Sequence, residues 1–557
     1  MSEYGPKLPF SEETHARKYR LRGESFRECC SRVAHTLTED IDHFYSFRDL
    51  LLRQEFLPAG RIQAAIGSPQ NITALNCFVS GVIPDSMDGI MDSAKEAATT
   101  MRKGGGIGFD FSTIRPRGAI ITTLGSSSSG AVSFMEIPNA VCGTVASAGD
   151  RRGAMMAVLR VDHPDIEEFI DAKTNKDKLT NFNISVGITD KFMNAVKNDE
   201  MFDLSFNGKV FRTVKATYLW EKIMRNTWDW AEPGVLFLDT INRMNNLHYC
   251  EEICTSNPCS EQPLPPYGAC LLGSYNLTRF DLSQVSTSTE KIVRAMDNVI
   301  DNTTYPLEEQ EEEAKSKRRI GLGVTGLANF LETSYSGCRY GDEEFLLHAE
   351  EVLSSLTYNI YKASINLAKE KGSFELFDRD KYLESAFIKT LPDEVQQGIY
   401  THGIRNSHLI SYAPTGTISI TADNVSSGIE PVFSHSYTRT VNVDGIDVQQ
   451  EVDDYAFREY GVAGRTANEC SIDEHLAVLT LATKYSDSAV SKTINVGDNV
   501  EWEEFKTIYM RAWENGCKGV TTYRSAGKRY GVLNELPKKN DGIACYIDPT
   551  TGRKECE

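Results

Sequence analysis

The sequence predicts an α/β protein built on a largely parallel sheet. Short apolar or alternating runs recur along the chain and read as strands. Stretches with helical periodicity separate several of them, and strands joined through helical crossovers pair in parallel. Near the N-terminus Phe26, Cys29, Cys30, Val33, Ala34 and Leu37 recur at i, i+3, i+4 and i+7, which predicts an amphipathic helix in a small helical preface, residues 1–70. Strands are expected at CFVSGVI (77–83), GIGFDF (106–111), MMAVLRV (155–161), NISVGIT (183–189) and GVLFLD (234–239). A long helix over 345–371 puts Ala349, Val352, Leu353, Leu356, Ile360 and Leu367 on one side and stops at Gly372. The runs SHLISYA (407–413), KTINV (492–496) and GVTTY (519–523) continue the alternation. The acidic run EEQEEEAKSKRR (308–319) reads as a solvated helix face. Beyond residue 536 Pro537, Lys538, Lys539, Asn540, Asp541 and Gly542 mark a polar, mobile tail, 536–557.

A chain of 557 residues usually forms two to four domains, although one large α/β barrel with accessories is also allowed. With 40% hydrophobic and 25% charged residues it can bury a substantial core. The formal charge of −19 argues against a nucleic-acid groove, which leans on Lys and Arg to neutralise phosphates, but local basic pairs could hold a single nucleotide. No membrane-length apolar run occurs, and the first residues lack a signal peptide's apolar stretch, so a cytoplasmic location is expected. Thirteen cysteines without a small-domain disulfide spacing fit a reducing compartment.

The segment NPCSEQPLPPYGACLLGSYNL (257–277) crowds prolines and glycines around Cys259 and Cys270, so an irregular loop is expected. It sets Cys259 beside Asn257 and Glu261, and such a backbone is a usual place for a reactive thiol. A proline-rich surface turn with buried cysteines is the bland alternative. Two other patterns invite weaker readings. Gly321-Leu322-Gly323-Val324-Thr325-Gly326 fits the dinucleotide glycine pattern, but charged Lys317, Arg318 and Arg319 precede it where a strand should stand, so helix packing is the better expectation. His248, Cys250, Cys254 and Cys259 lack paired zinc-ligand spacing.

The region around Cys259 resembles the finger loop of ribonucleotide reductase catalytic chains. LPAGRIQAAIG (57–67), LNCFVSGVIPDSM (75–87), GGGIGFDFSTIRPRG (104–118), SAGDRRGAMMAVLRVDHPDIEEFI (147–170), RRIGLGVTGLA (318–328) and APTGTISITADNVSSGIEPVF (413–433) resemble that family in order, over nearly the whole chain. The resemblance implies a ten-stranded α/β barrel with the loop near 257–270 threaded through it. It implies that Cys259 becomes a thiyl radical and takes the 3′ hydrogen of a ribose. Glu261 would act as general base on the 3′-hydroxyl, and Asn257 would hold the ribose hydroxyls. Cys77 and Cys270 would supply a proton and two electrons and close a disulfide. Cys545 and Cys556 in the tail would reopen it by exchange, passing electrons from a thioredoxin- or glutaredoxin-like reductant, although family pairs are often closer than these two. Pro414, Thr415, Gly416, Thr417 and Ile418 would cradle the substrate phosphates, with Asn76, Gly106 and Arg61 also against the substrate. Asp85, Ser86, Met87 and Arg115 match a deoxynucleotide effector site, and Arg151 and Arg152 lie in the segment that resembles the loop coupling effector to substrate.

Within the family the motifs are most similar to the adenosylcobalamin-dependent class. No Tyr-Tyr pair occurs where a reductase fed by a radical-generating subunit would carry one; that stretch reads KGVTTYRSAGKRYG (518–531). The C-terminal Gly-Tyr signature of the glycyl-radical class is missing as well, and Glu261 is present. The resemblance implies ribonucleoside diphosphate substrates, dNTP control of specificity and a homodimer; the sequence as given begins almost directly with the preface helix, so the ATP-sensing module that some relatives carry there is not expected. A two-subunit reductase's large chain and a nucleotide-binding or dehydrogenase-like protein are the competing expectations.

Overall fold

The computed structural model describes residues 4–122, 124–145, 154–175, 177–443, 446–497, 500–524, 534–535, 545–547 and 554–556. The N-terminal region comprises α1 (Pro9–Tyr19), α2 (Phe26–Leu37), α3 (Ile41–Leu52), strand β1 (Phe56–Pro58) and α4 (Gly60–Ala65). The periodicity of α2 buries Cys29, Cys30, Val33, Ala34 and Leu37, and a reciprocal capping box between Ser25 and Glu28 starts the helix.

Next come β2 (Cys77–Val79), α5 (Met87–Arg102), β3 (Gly106–Asp110), β4 (Met155–Arg160), β5 (Phe182–Ile188) and β6 (Gly234–Phe237). The site region adds β7 (Thr255–Ser256), β8 (Pro263–Leu264), β9 (Ala269–Cys270) and β10 (Leu272–Asn276), followed by α6 (Val285–Asn302), α7 (Glu308–Lys317) and β11 (Gly321–Thr325). The C-terminal part carries α8 (Glu343–Lys371), α9 (Gly416–Thr421), β12 (Thr493–Val496) and β13 (Gly519–Arg524).

Eight strands form one mixed sheet in the order β9-β2-β3-β4-β5-β6-β13-β12. The run from β2 to β6 is parallel throughout, as buried apolar strands with helical crossovers require. Only β9 on β2 and β13 on β6 are antiparallel. A smaller sheet has the order β1-β10-β11. Isolated parallel bridges join Leu322 to Ile410 and Tyr412 to Val490, so the expected strand at 407–413 survives as bridged backbone. One apolar core lies among α2, α3, α6 and α8, and a second packs on β3 to β6 and β13.

Three local expectations change. Gly321 to Thr325 is strand β11, not a helix-packing segment. A Cβ on Gly323 would lie 2.4 Å from the Ser411 carbonyl oxygen, so glycine is needed because residues 409–412 run alongside. The 308–319 run is helical as far as Lys317, yet Gln310, Glu313, Ala314 and Lys317 are buried. Arg319 pairs with Glu251 at 2.6 Å, Lys317 with Glu251 at 2.9 Å and Arg318 with Asp297 at 2.7 Å, so opposite charges accompany these residues into the interior. Finally, 257–277 is irregular only in part. Its prolines end at Pro266, and the proline-free remainder supplies the buried strands β9 and β10.

Candidate active site

Strands β7 and β8 pair through Thr255↔Leu264 and Ser256↔Pro263, and the loop they carry is closed by Asn257. The Gln262 N–H donates to Asn257 Oδ1 at 3.0 Å, and the Asn257 N–H donates to the Gln262 carbonyl at 3.1 Å. Ser260 takes a left-handed φ of 65° at the turn. This folding buries Asn257 and Glu261 and leaves Cys259 exposed at the tip. Asn257 Nδ2 is buried with no partner among the described residues, which makes it available to a hydroxyl of a bound ligand.

Strands distant in sequence grip the loop. The Ser411 hydroxyl donates to the Glu261 carbonyl at 2.7 Å and the Ala489 N–H donates to it at 3.0 Å. Asn183 Nδ2, on β5, holds the Pro258 carbonyl at 3.1 Å. A Cβ on Gly108 would lie 2.0 Å from the Ser256 carbonyl oxygen, so β3 meets the loop base backbone to backbone.

Cys77 on β2 and Cys270 on β9 are direct cross-strand partners. A Cβ on Gly106 would lie 3.2 Å from Cys77 Sγ and 3.3 Å from Pro258 Cγ, which places the paired thiols beside the loop. Burial pushes the Cys270 thiol well above its ordinary range, and the neighbouring Cys77 and Glu261 act in the same direction. Cys270 therefore holds its proton at neutral pH.

A cavity of about 400 Å³ is lined by Cys259, Glu261, Asn76 and Cys77 together with Arg61, Pro414, Thr415, Gly416, Thr417 and Ile418. It thus gathers most of the predicted catalytic and substrate residues; Asn257, Cys270 and Gly106 do not line it, although Cys270 and Gly106 both pair with Cys77, which does. The Pro414–Ile418 turn is held by Thr415, whose φ is 51° and whose hydroxyl accepts the Gly428 N–H at 2.7 Å and meets Thr325 Oγ1 at 2.9 Å. The first amides of α9 have no acceptor within the helix, so they suit phosphate oxygens. Arg61 is buried with its guanidinium over Gly104, where a Cβ would come within 2.6 Å of Cζ.

Sequence reasoning missed two parts of the site. Lys18 and Tyr19, at the end of α1, line the same cavity, and nothing in a basic helix end announces that role. A second cavity of about 340 Å³ shares Cys259 and Pro414 with the first and is lined by Asn183, Ser260, Glu430, Lys492 and Thr521 among others. Glu430 falls inside a quoted motif, whereas the remaining contributors are scattered along the chain.

Arg115 and Asp85 are brought together, with Arg115 Nε donating to Asp85 Oδ2 at 2.8 Å, and Ser86 caps α5 by accepting the Gly89 N–H at 3.1 Å. Met87 follows, 57% exposed. Arg151 and Arg152 lie outside the described residues. Cys545 and Cys556 lie on two short strands, Cys545–Ile547 and Lys554–Cys556, whose antiparallel backbone register makes them partners. Among the described residues no group of three or more His, Cys, Asp or Glu side chains is placed to hold a metal ion. No described helix is long and apolar enough to cross a membrane.

Residues 75–460 and 464–523 match the family model for the ribonucleotide reductase barrel domain. The chain is 34% identical over 529 residues to the vitamin B12-dependent ribonucleoside-diphosphate reductase of Mycobacterium tuberculosis (strain CDC 1551 / Oshkosh), an alignment covering 88% of this chain and 73% of that protein. It is 35% identical over 495 residues to the protein of the same name from Thermoplasma acidophilum, covering 82% of this chain and 62% of that one. A more distant similarity, 26% identity, covers 84% of this chain and 73% of the ribonucleoside-diphosphate reductase subunit alpha of Helicobacter pylori.

Proposed function

The chain belongs to the ribonucleotide reductase family, and from that premise we propose that it reduces ribonucleoside diphosphates with Cys259 as the radical-bearing thiol and Cys77 with Cys270 as the electron source. It is a catalytic chain of the vitamin B12-dependent class and makes 2′-deoxyribonucleotides from ribonucleotides. One observation carries the assignment of roles: Cys259 stands at the tip of a rigid loop between two cavities, and one of these also exposes Glu261, Asn76 and Cys77.

In this reading the first cavity takes the nucleotide, its phosphates against Pro414–Ile418 and its ribose under Cys259. Cys259 removes the 3′ hydrogen atom while Glu261 takes the 3′-hydroxyl proton, and Asn257 orients the hydroxyls. The 2′-hydroxyl departs as water with a proton from the Cys77–Cys270 pair. That pair loses two electrons to the sugar and closes a disulfide, and Cys259 returns the 3′ hydrogen. The raised thiol pKa of Cys270 supports this, since that thiol enters the reaction protonated.

Adenosylcobalamin, when bound, supplies the hydrogen-atom acceptor that activates Cys259. The second cavity suits the adenosyl end of that cofactor: Ser260 and Thr521 bring hydroxyls directly beside the thiol, while Asn183, held by the Pro258 carbonyl, and Lys492, paired with Glu430, form a polar wall. These residues would hold it and exclude water from Cys259.

The finer architecture we read as a ten-stranded barrel, residues 71–535, with a helical region, 1–70, before it and a redox tail, 536–557, after it. The bridges Leu322↔Ile410 and Tyr412↔Val490 support this, because they link β11 through residues 409–412 toward β12. The tail would carry electrons from a thioredoxin- or glutaredoxin-like protein, and the Cys545↔Cys556 register supports this despite the ten residues between them. A dNTP at Asp85, Ser86, Met87 and Arg115 would select the substrate, with Arg151 and Arg152 on the coupling segment. A homodimer is supported by Met87 and Met91, which expose one apolar edge of α5.

The test is anaerobic reduction of labelled CDP and CTP with dithiothreitol and an effector, with and without adenosylcobalamin. Cobalamin-dependent dCDP, abolished in Cys259→Ser, is the expected result. Product without the cofactor, or none under any condition, overturns the reading.

A further inference from the structure

Helix α1 lies outside the 75–523 span that matches the family model, yet it forms a wall of the nucleotide cavity. It is fixed there by several contacts. Ser11 Oγ donates to the Ile420 carbonyl at 2.7 Å, and the Lys7 and Leu8 N–H groups donate to Asp423 Oδ1 at 2.8 and 2.9 Å. Arg20, at its C-cap, reaches back to pair with Glu12 of the first turn at 2.6 Å. Tyr19 packs in a buried cluster with Leu57 and Ile418, and its ring lies over Gly60, where a Cβ would approach within 2.5 Å.

These contacts order the cavity from end to end. Pro414 lines both cavities together with Cys259, so the 414–418 turn begins at the chemical end. Its other end, Ile418, packs on Tyr19, next to Lys18. Among the described lining residues Lys18 and Arg61 carry the positive charge and Glu261, beside Cys259, the negative. A phosphate chain that starts at the ribose and follows the turn therefore runs toward Lys18, whose ammonium is a compact point charge suited to a terminal phosphate.

Resting on the reading of this cavity as the ribonucleotide site, we infer that Lys18 binds the β-phosphate of the substrate and so makes the enzyme distinguish a diphosphate from a monophosphate. The test is equilibrium binding of CDP and CMP to the full chain with effector present and cobalamin withheld, so that no turnover occurs. Lys18→Met should weaken CDP about tenfold and CMP less than about twofold, and Lys18→Arg should recover most of the CDP affinity. An equal loss for CDP and CMP would mean that Lys18 only packs α1, and unchanged CDP affinity would remove it from the site; either outcome overturns the inference while the reductase reading stands. Wild-type protein that binds neither nucleotide overturns both.

Discussion

Cys77 and Cys270 face each other across the β2–β9 pair, and the Asn76 N–H donates to the Cys270 carbonyl at 3.1 Å, which locks that register. Directly opposed residues of an antiparallel pair stand about 4.5–5.5 Å apart at Cα, within the span of a disulfide, so neither strand must shift for the bond to close. With CDP, effector and cofactor but no reductant, a Cys545→Ser, Cys556→Ser double variant, whose tail cannot reopen the bond, should make about one deoxynucleotide per site and lose two alkylatable thiols. Peptide mapping should find both at Cys77 and Cys270. Either Cys→Ser change should lower this yield at least about a hundredfold. Product formed with a full thiol count would refute the role of the pair.

Gly108→Ala tests how tightly the loop depends on β3. Its Cβ would collide with the Ser256 carbonyl, backbone against backbone, so the strand or the loop must move. We expect a stability loss of about 1–3 kcal/mol and a kcat lowered about a hundredfold, since small displacements of a reacting atom are costly. Denaturant melts and kcat measured on the same preparation check this; an unchanged kcat would show that the loop position is slack.

Acid should destabilise the fold through its buried imidazoles. Burial, with Arg20 nearby, lowers His15 to about 4, and burial with Lys492 lowers His475 to about 3. Arg20 Nε donates to His15 Nδ1 at 3.1 Å and Lys492 Nζ donates to His475 Nδ1 at 3.0 Å, so both rings must be neutral. Between pH 6.5 and these lowered values the unfolded chain binds more protons than the folded one. Stability is therefore fully present above pH 6.5 and is lost as the pH falls. The loss from pH 7 to 5 should be about 2 kcal/mol per ring, read from urea midpoints. His15→Gln should flatten the dependence; a pH-independent midpoint would contradict it.

The tail cysteines separate by reductant. Cys545→Ser or Cys556→Ser should leave turnover with dithiothreitol within about twofold of wild type and reduce turnover with thioredoxin at least about tenfold. Wild-type rates for both variants with thioredoxin would assign the shuttle elsewhere.

Much of this was legible because it is local. The apolar period of α2, the runs that became β2 to β6 and the stop of α8 at Gly372 depend on neighbours a few residues away. Asn257, Cys259 and Glu261 share one short loop, and the roles proposed for them come from the motifs around them, which resemble a known family. What stayed hidden depends on distant partners. Gly321 and Gly323 suggested helix packing because the groups that crowd them, Gln262 for the first and the Ser411 backbone for the second, are far along the chain. Arg319 looked solvated because Glu251, which compensates it, lies 68 positions earlier. The second cavity draws on Asn183, Glu430, Lys492 and Thr521, a set with no local period to betray it.

The grip on Glu261 also sets an order of assembly. Two of the bonds that seat the radical loop come from Ser411 and Ala489, more than a hundred residues downstream. As the ribosome delivers the chain from its N-terminus, Cys259 emerges long before the groups that aim it. A nascent or truncated chain ending short of residue 489 would hold Cys77, Cys259 and Cys270 and still lack a bond that seats the loop carrying Cys259.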